Sequence, residues 1–292
     1  WVWRYLLGLA LWSRDRSEEA KRELDDLGDR PDFGPFYVAR AHLSDAGPAA
    51  EADLRRGAAL EPMDRLLRIH LVQYLQARGR WADALEVSGA ARAVFPTDFN
   101  LDLLHVASLA ELGRAEEAIA ILDDIRVLPS EHSGTSHTLY VQSHLTAALD
   151  ALDGGDRRRA AEHARAASEW PERLGLGRPY EPEERLARFI LGVAENDASS
   201  LEAVVAASGT VPTDRLDLLG IAARVRLGQS PVLAPSTTEA DTPAAGFARG
   251  LVAAVLSGEG LAEAAERLGE GAPDLFAGSE GRLVFRALTL GL

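Results

Sequence analysis

The sequence predicts an all-α chain built from a run of antiparallel helix pairs. Three observations carry this reading. Small residues and prolines recur every 34 positions: Gly79 and Gly113, Ala50, Ala84 and Ala118, Pro62 and Pro96. The stretches between them show apolar residues at helical spacing. No segment reads as a strand, because "AVFP" and "PVLAP" are short and bounded by proline.

Each recurring residue has a physical reason. The glycine sits in the turn after the first helix, where a positive φ is cheap for a residue without Cβ. The alanine sits where the second helix crosses the first and a larger side chain would force them apart. The proline ends the second helix, because it cannot continue the hydrogen-bond ladder. A 34-residue unit with this pattern resembles the tetratricopeptide repeat. Five units are read in order. They are "YLLGLALWSRDRSEEAKREL", with Leu7, Gly8 and Ala20 in matching places, then "FYVARAHLSDAGPAAEADLRRGAALEP" and "LVQYLQARGRWADALEVSGAARAVFP". "LLHVASLAELGRAEEAIAILDDIRVLP" and "LTAALDALDGGDRRRAAEHARAASEWP", with Gly155 and Ala160, follow. The last step is 42 residues rather than 34, and the extra residues fall in "SEHSGTSH", which reads as an insertion loop.

Beyond Pro171 the repeat decays but the helical pattern continues. Leu186, Phe189, Ile190 and Val193 form one apolar face of a helix that begins near Pro182. Glu181–Arg185 and Glu184–Arg188 are spaced as i,i+4 pairs along it. Ser199 and Glu202 have capping-box spacing. The expected organisation is five repeats over 1–172, degenerate helical repeats over 173–228, a linker or long loop over 229–246, and C-terminal helices over 247–292. The resulting fold class is an α-solenoid of tetratricopeptide-like hairpins with a degenerate helical extension. "WVWRYLLGLALW" reads as mid-helix and the only methionine is Met63, so a piece of something longer is expected.

Composition narrows the function. Hydrophobic residues make up 47% of 292 positions, enough for a substantial core. The net charge of −14 disfavours a phosphate backbone as ligand, so no nucleic-acid partner is expected. No apolar run reaches membrane-spanning length, and no membrane partner is expected. The absence of cysteine removes disulfides, thiolate metal sites and cysteine nucleophiles, and fits a cytoplasmic protein.

Two stretches stand out. "WPERLGLGRPYEPEER", 170–185, contains half of a dinucleotide fingerprint, but the third glycine and a preceding strand are missing. It reads as a turn before a helix, with Arg178 and Tyr180 as candidate ligand contacts. "EHSGTSHTLYVQSH", 131–144, brings Glu131, His132, His137 and Tyr140 into the insertion. His137 and His144 would share a face if helical. Ligand contact, a metal site and a plain loop are all open for this stretch, and no close-spaced pair of metal-binding histidines supports the metal. An all-α enzyme centred here is the weakest of the functional readings.

Solenoids of the tetratricopeptide type bind partners on the concave side lined by the first helix of each pair. The corresponding positions here are Ala39, Gln73, Ala107 and Leu149, with Gln76, Asn100 and Leu103 beside them. That surface is small, apolar and amide-bearing and lacks a cation clamp for an acidic tail. A protein partner, or a companion domain of the same polypeptide, is the expected occupant. No cofactor, no metal and no catalytic residue are expected, and the oligomeric state is left open. The chain over roughly 1–195, best at 126–192, also resembles the C-terminal region of bacterial proteins in which tetratricopeptide repeats follow a mutarotase-like β-rich domain of uncharacterised function. That resemblance implies the helical half of a carbohydrate-binding or carbohydrate-active protein, with Glu131, Arg178 and Tyr180 facing a neighbouring sugar site.

Overall fold

The computed structural model describes residues 1–44, 47–128, 133–175, 183–209, 211–233 and 242–291. Among them there are sixteen α-helices and two short 3-10 turns, and no strand. The chain forms two compact units, Trp1–Leu112 and Gly113–Leu292.

The first unit holds α1 (Val2–Trp12), α2 (Ser17–Asp25), α3 (Gly34–Leu43), α4 (Pro48–Leu60), α5 (Arg65–Gln76), α6 (Trp81–Val94) and α7 (Phe99–Glu111). They pack as successive hairpins, α1 on α2, α3 on α4 and α5 on α6, and the first helices α3, α5 and α7 also touch in sequence. The crossing alanines Ala20, Ala50 and Ala84 are 0% exposed. At the α3–α4 crossing even a methyl is too large: a Cβ on Gly57 would stand 2.9 Å from the Gly34 carbonyl oxygen.

The turns follow the repeat. Gly79, Gly113 and Gly155 all have positive φ, and each precedes its buried alanine by five residues. The first hairpin uses Asp15 (φ 58°) five residues before Ala20, and a later one uses Asn196 (φ 53°) five before Leu201. These are the non-glycine types that best tolerate the left-handed region. The next residue starts the second helix in one of two ways. Arg16, Arg80 and Arg114 each reach three residues ahead, to Glu19, Asp83 and Glu117, all at 2.6 Å. Asp156 and Asp197 instead accept hydrogen bonds from the exposed N–H groups of the first turn. Asp197 therefore caps its helix, and the capping box expected from Ser199 and Glu202 is not the device used: Ser199 and Ser200 both donate to Asp197.

Within the first unit a nearly buried ion pair ties the two helices of the second hairpin together and to the turn that precedes it. Arg40 on α3 donates to both carboxylate oxygens of Asp53 on α4, at 2.7 and 2.5 Å, and to the Gly28 carbonyl at 2.7 Å. Its guanidinium also stands 5.2 Å from the ring centroids of Phe36 and Tyr37. The Asp53 hydrogen bond is the largest influence holding Arg40 protonated.

The second unit holds α8 (Ala115–Asp124), α9 (Ser133–Asp153), α10 (Arg157–Ala167), α11 (Arg185–Glu195), α12 (Ala198–Ala207), α13 (Leu218–Arg226), α14 (Pro243–Leu256), α15 (Leu261–Gly269) and α16 (Gly278–Thr289). The expected insertion loop is largely helix. The 21-residue α9 starts at Ser133, because Ser136, His137 and Tyr140 bury one side of its first turns. The Ser136 hydroxyl donates to the Leu174 carbonyl at 2.6 Å. α11 begins at Arg185 rather than near Pro182. Glu184 pairs with Arg188 at 2.9 Å as its spacing suggests, and Arg185 meets Glu183 and Asp217 at 2.7 Å each, while Glu181, its expected partner, and Pro182 lie outside the described residues. α14 starts at Pro243, inside the stretch expected as a loop, since the Thr242 hydroxyl accepts from the Ala245 N–H and proline fits the first helical position.

α16 turns back along the unit and packs on α9, α11 and α13. Val284, Ala287 and Leu288 join Leu145, Leu149 and Ile190 in one core. Arg286 ties α16 to Asp150 and Asp153 of α9 at 2.8 and 2.6 Å. Leu149, expected to line an open groove, is fully buried in this core.

Asp217 is the polar hub of the second unit. Besides Arg185 it accepts from the N–H groups of Gly209, Thr213 and Asp214 and from the Thr213 hydroxyl. Burial opposes its ionisation, but the hydrogen bonds outweigh burial and hold the carboxyl below its usual range. The stability it contributes is therefore present above the ordinary carboxylate pKa near 4 and lost as pH falls through the lower folded value. Removing one partner of either hub strands a buried charge. Arg40→Ala is expected to destabilise the first unit, and Asp217→Ala the second, by about 3 kcal/mol each. Hydrogen exchange followed by mass spectrometry checks this: protection should fall in α3–α4 for the first variant and in α11–α13 for the second.

Candidate functional site

Two places gather polar or aromatic side chains that packing alone does not demand. The first is the face shared by the first helices of the first unit. The Trp12 and His42 rings lie 6.0 Å apart, and those of His42 and His70 lie 5.2 Å apart, so an aromatic ladder crosses α1, α3 and α5. His42 Nε2 and His70 Nδ1 approach to 3.4 Å, which requires one to donate and the other to accept. Burial first, and His42 second, push the His70 pKa down. Trp12 remains 37% exposed and Leu66 52%. Gln73 is exposed on α5, and Asn100 and Ala107 on α7 are half-buried.

The expected groove residues thus divide. Gln73, Asn100 and Ala107 are accessible. Ala39 and Leu103 are buried in helix packing. Gln76 spends its amide on α7, donating to the Leu104 carbonyl at 2.7 Å and to the Ser108 hydroxyl at 3.0 Å. Sequence reading missed His42 and His70, which are 28 residues apart and so share no repeat position.

The second place lies in the second unit, where polar groups run from α8 through α10 to α9. Glu116 accepts from Arg159 at 2.6 Å and stands 3.3 Å from His163 Nε2. His163 Nδ1 meets His144 Nδ1 at 3.0 Å. The His144 ring packs 4.4 Å from Tyr140, and Arg173, paired with Asp123 at 2.5 Å, lies 5.8 Å from the Tyr140 centroid. Burial raises the Tyr140 pKa. His137 is buried with its ring 4.7 Å from Trp170. His137 and His144 do share the buried side of one helix, yet each faces its own aromatic neighbour. Among the described residues no group of three or more His, Asp or Glu side chains is placed to hold a metal ion. Glu131, His132, Arg178 and Tyr180 lie outside the described residues.

No family model matches this chain, and no curated protein matches it. Among solved structures it is similar to a tetratricopeptide repeat protein from Parabacteroides merdae ATCC 43184. The two share 14% identity with a TM-score of 0.49, and the match covers 93% of this chain and 98% of that one. It is also similar to PilW, a widely conserved type IV pilus biogenesis factor, at 16% identity and a TM-score of 0.40, covering 70% of this chain and 90% of that one. Among the described residues no helix is long and apolar enough to cross a membrane. The tetratricopeptide-like character of the hairpins stands on their own geometry: the 34-residue register, the positive-φ turns and the buried crossing alanines.

Burial and then the neighbouring His163 push the His144 pKa down to about 4. A base whose folded pKa is depressed binds its proton more readily when unfolded. The second unit should therefore keep its full stability above pH 6.5 and lose about 3 kcal/mol through this group as pH falls to 4. His144→Gln should flatten that part of the pH dependence, measured as hydrogen-exchange protection of α9 between pH 7 and pH 4.

Proposed function

We propose that the chain is a non-catalytic interaction scaffold of tetratricopeptide type, and that the first-helix face of its first unit receives a protein partner or a companion domain of the same polypeptide. The observation that carries this reading is the accessible ladder of Trp12, His42 and His70 with Gln73 beside it. Aromatic side chains that stay accessible on a rigid face are typical anchors of protein interfaces, because they bury much area at small entropic cost. Gln73, Asn100 and the half-buried Ala107 add amide hydrogen bonding and a small-residue floor. A helix or protein surface suits such a face better than an acidic peptide tail, which calls for cations.

The second unit contributes differently in this reading. Its own α16 lies along α9, α11 and α13, so that side is filled in cis. The partner-binding role therefore falls to the first unit.

A photocrosslinking amino acid at Gln73 or Ala107 should give a discrete adduct with the partner in source cells. The same group at Glu86, exposed on α6, should give none. Equal adducts at Glu86 and Gln73, or none at Gln73 and Ala107, would sink the reading.

A further inference from the structure

The second unit holds a cavity of about 280 Å³ between α9, α11 and α16. Its floor is apolar, formed by the buried side chains of Leu145, Leu186, Ala187 and Leu283. Trp170 and His137, ring against ring at 4.7 Å, form one wall. The mouth carries two exposed carboxylates, Glu183 before α11 and Glu280 on α16, and these are the charged side chains that line the cavity. Gln142 adds an amide at the mouth.

Each of these two carboxylates has an arginine partner outside the lining. Glu183 pairs with Arg185 at 2.7 Å, Arg185 also meets Asp214 and Asp217, and Glu280 lies 3.7 Å from Arg215. Among the described residues the lining itself carries two carboxylates and no arginine or lysine. Both mouth carboxylates remain accessible to solvent, with side-chain exposures of 46% for Glu183 and 54% for Glu280. An apolar chamber under a negative rim selects a ligand with an apolar body and a positive end. The cation would sit at the mouth near Glu280, with the body on the leucines beside Trp170. The volume suits a body of about ten non-hydrogen atoms.

We infer that this cavity is a binding site for a small organic ammonium ion with a single-ring or short-chain apolar body. The inference is independent of the scaffold reading, which concerns the first unit. No reaction is implied, only recognition.

The test uses the full chain and three probes of similar size: phenethylamine, 2-phenylethanol and phenylacetate. Titration calorimetry should show the amine binding with a Kd of about 0.2 mM, in line with the per-atom ceiling for small ligands. The alcohol should bind about 5-fold more weakly at low salt, and the carboxylate more weakly still. The amine's advantage should shrink at about 0.5 M salt, where exposed charges are screened. Glu280→Gln should bring amine and alcohol to within about twofold while leaving the alcohol unchanged. Thr138 is exposed on α9 and lines the cavity, so Thr138→Trp should plug it and abolish binding of all three with the circular dichroism spectrum unchanged.

Three results would overturn the inference. One is alcohol or carboxylate binding as tightly as the amine. Another is amine affinity undiminished by Thr138→Trp, which would place the amine elsewhere on an acidic surface. The third is no saturable amine binding up to about 10 mM, far above the expected Kd. None of these outcomes touches the Gln73 crosslink.

Discussion

Two helix backbones can lie close together only where the crossing point carries almost no side chain. In this chain that constraint is met by Ala20, Ala50, Ala84 and Ala160, all 0% exposed, and by the facing glycines Gly34 and Gly57. Everything else in a hairpin follows from it. A close crossing fixes the angle between the two helices, and the positive-φ residue five positions earlier sets where the chain reverses. With those fixed, the outward face of each first helix is set as well. Enlarging a crossing residue would cost 1–3 kcal/mol as a rough measure of overpacking, comparable with a large share of a domain's net stability.

Charged groups play two unequal parts around that frame. The arginine clamps at the turns, Arg16–Glu19, Arg80–Asp83 and Arg114–Glu117, are largely exposed, and solvent screening leaves them little weight in stability. Arg40–Asp53 and Arg185–Asp217 are different, because their carboxylates are nearly buried and several donors converge on each site. There, desolvation makes the loss of one partner expensive, so these two pairs lock a packing that the crossings have already set. The distinction matters for the −14 chain as a whole: most of its carboxylates are solvated surface, and a few are structural.

The hairpin frame was legible because its determinants are local. A glycine, an alanine five residues on and a proline after the second helix are visible within each of the third, fourth and fifth repeats. The exceptions are equally local in cause. Asp15 and Asn196 occupy the turn position without being glycine, so a search for glycine passes over them. Residues 133–137, the described part of the expected insertion loop, look like a loop because serine, glycine and threonine dominate them. Their helical state depends on a carbonyl at Leu174 and a ring at Trp170, more than thirty residues away. The candidate site was legible in the same uneven way. Gln73 and Ala107 follow the repeat register and are accessible, whereas Ala39 obeys the same register and is buried because its neighbours close over it. His42 and His70 meet through geometry between repeats, which no periodicity encodes.

The return of α16 onto α9 gives the second unit a long-range closure. Arg286 reaches Asp150 and Asp153 across 136 and 133 residues, while the hairpins are joined by contacts between chain neighbours. Loop closure over such a span must precede the contacts that reward it. As the chain leaves the ribosome, each hairpin of the first unit can settle once its own residues have emerged. In the second unit, Leu145, Leu149 and Ile190 wait for Val284 and Leu288 to be made. Synthesis thus leaves this half of the molecule with an uncovered apolar side until α16 has been made.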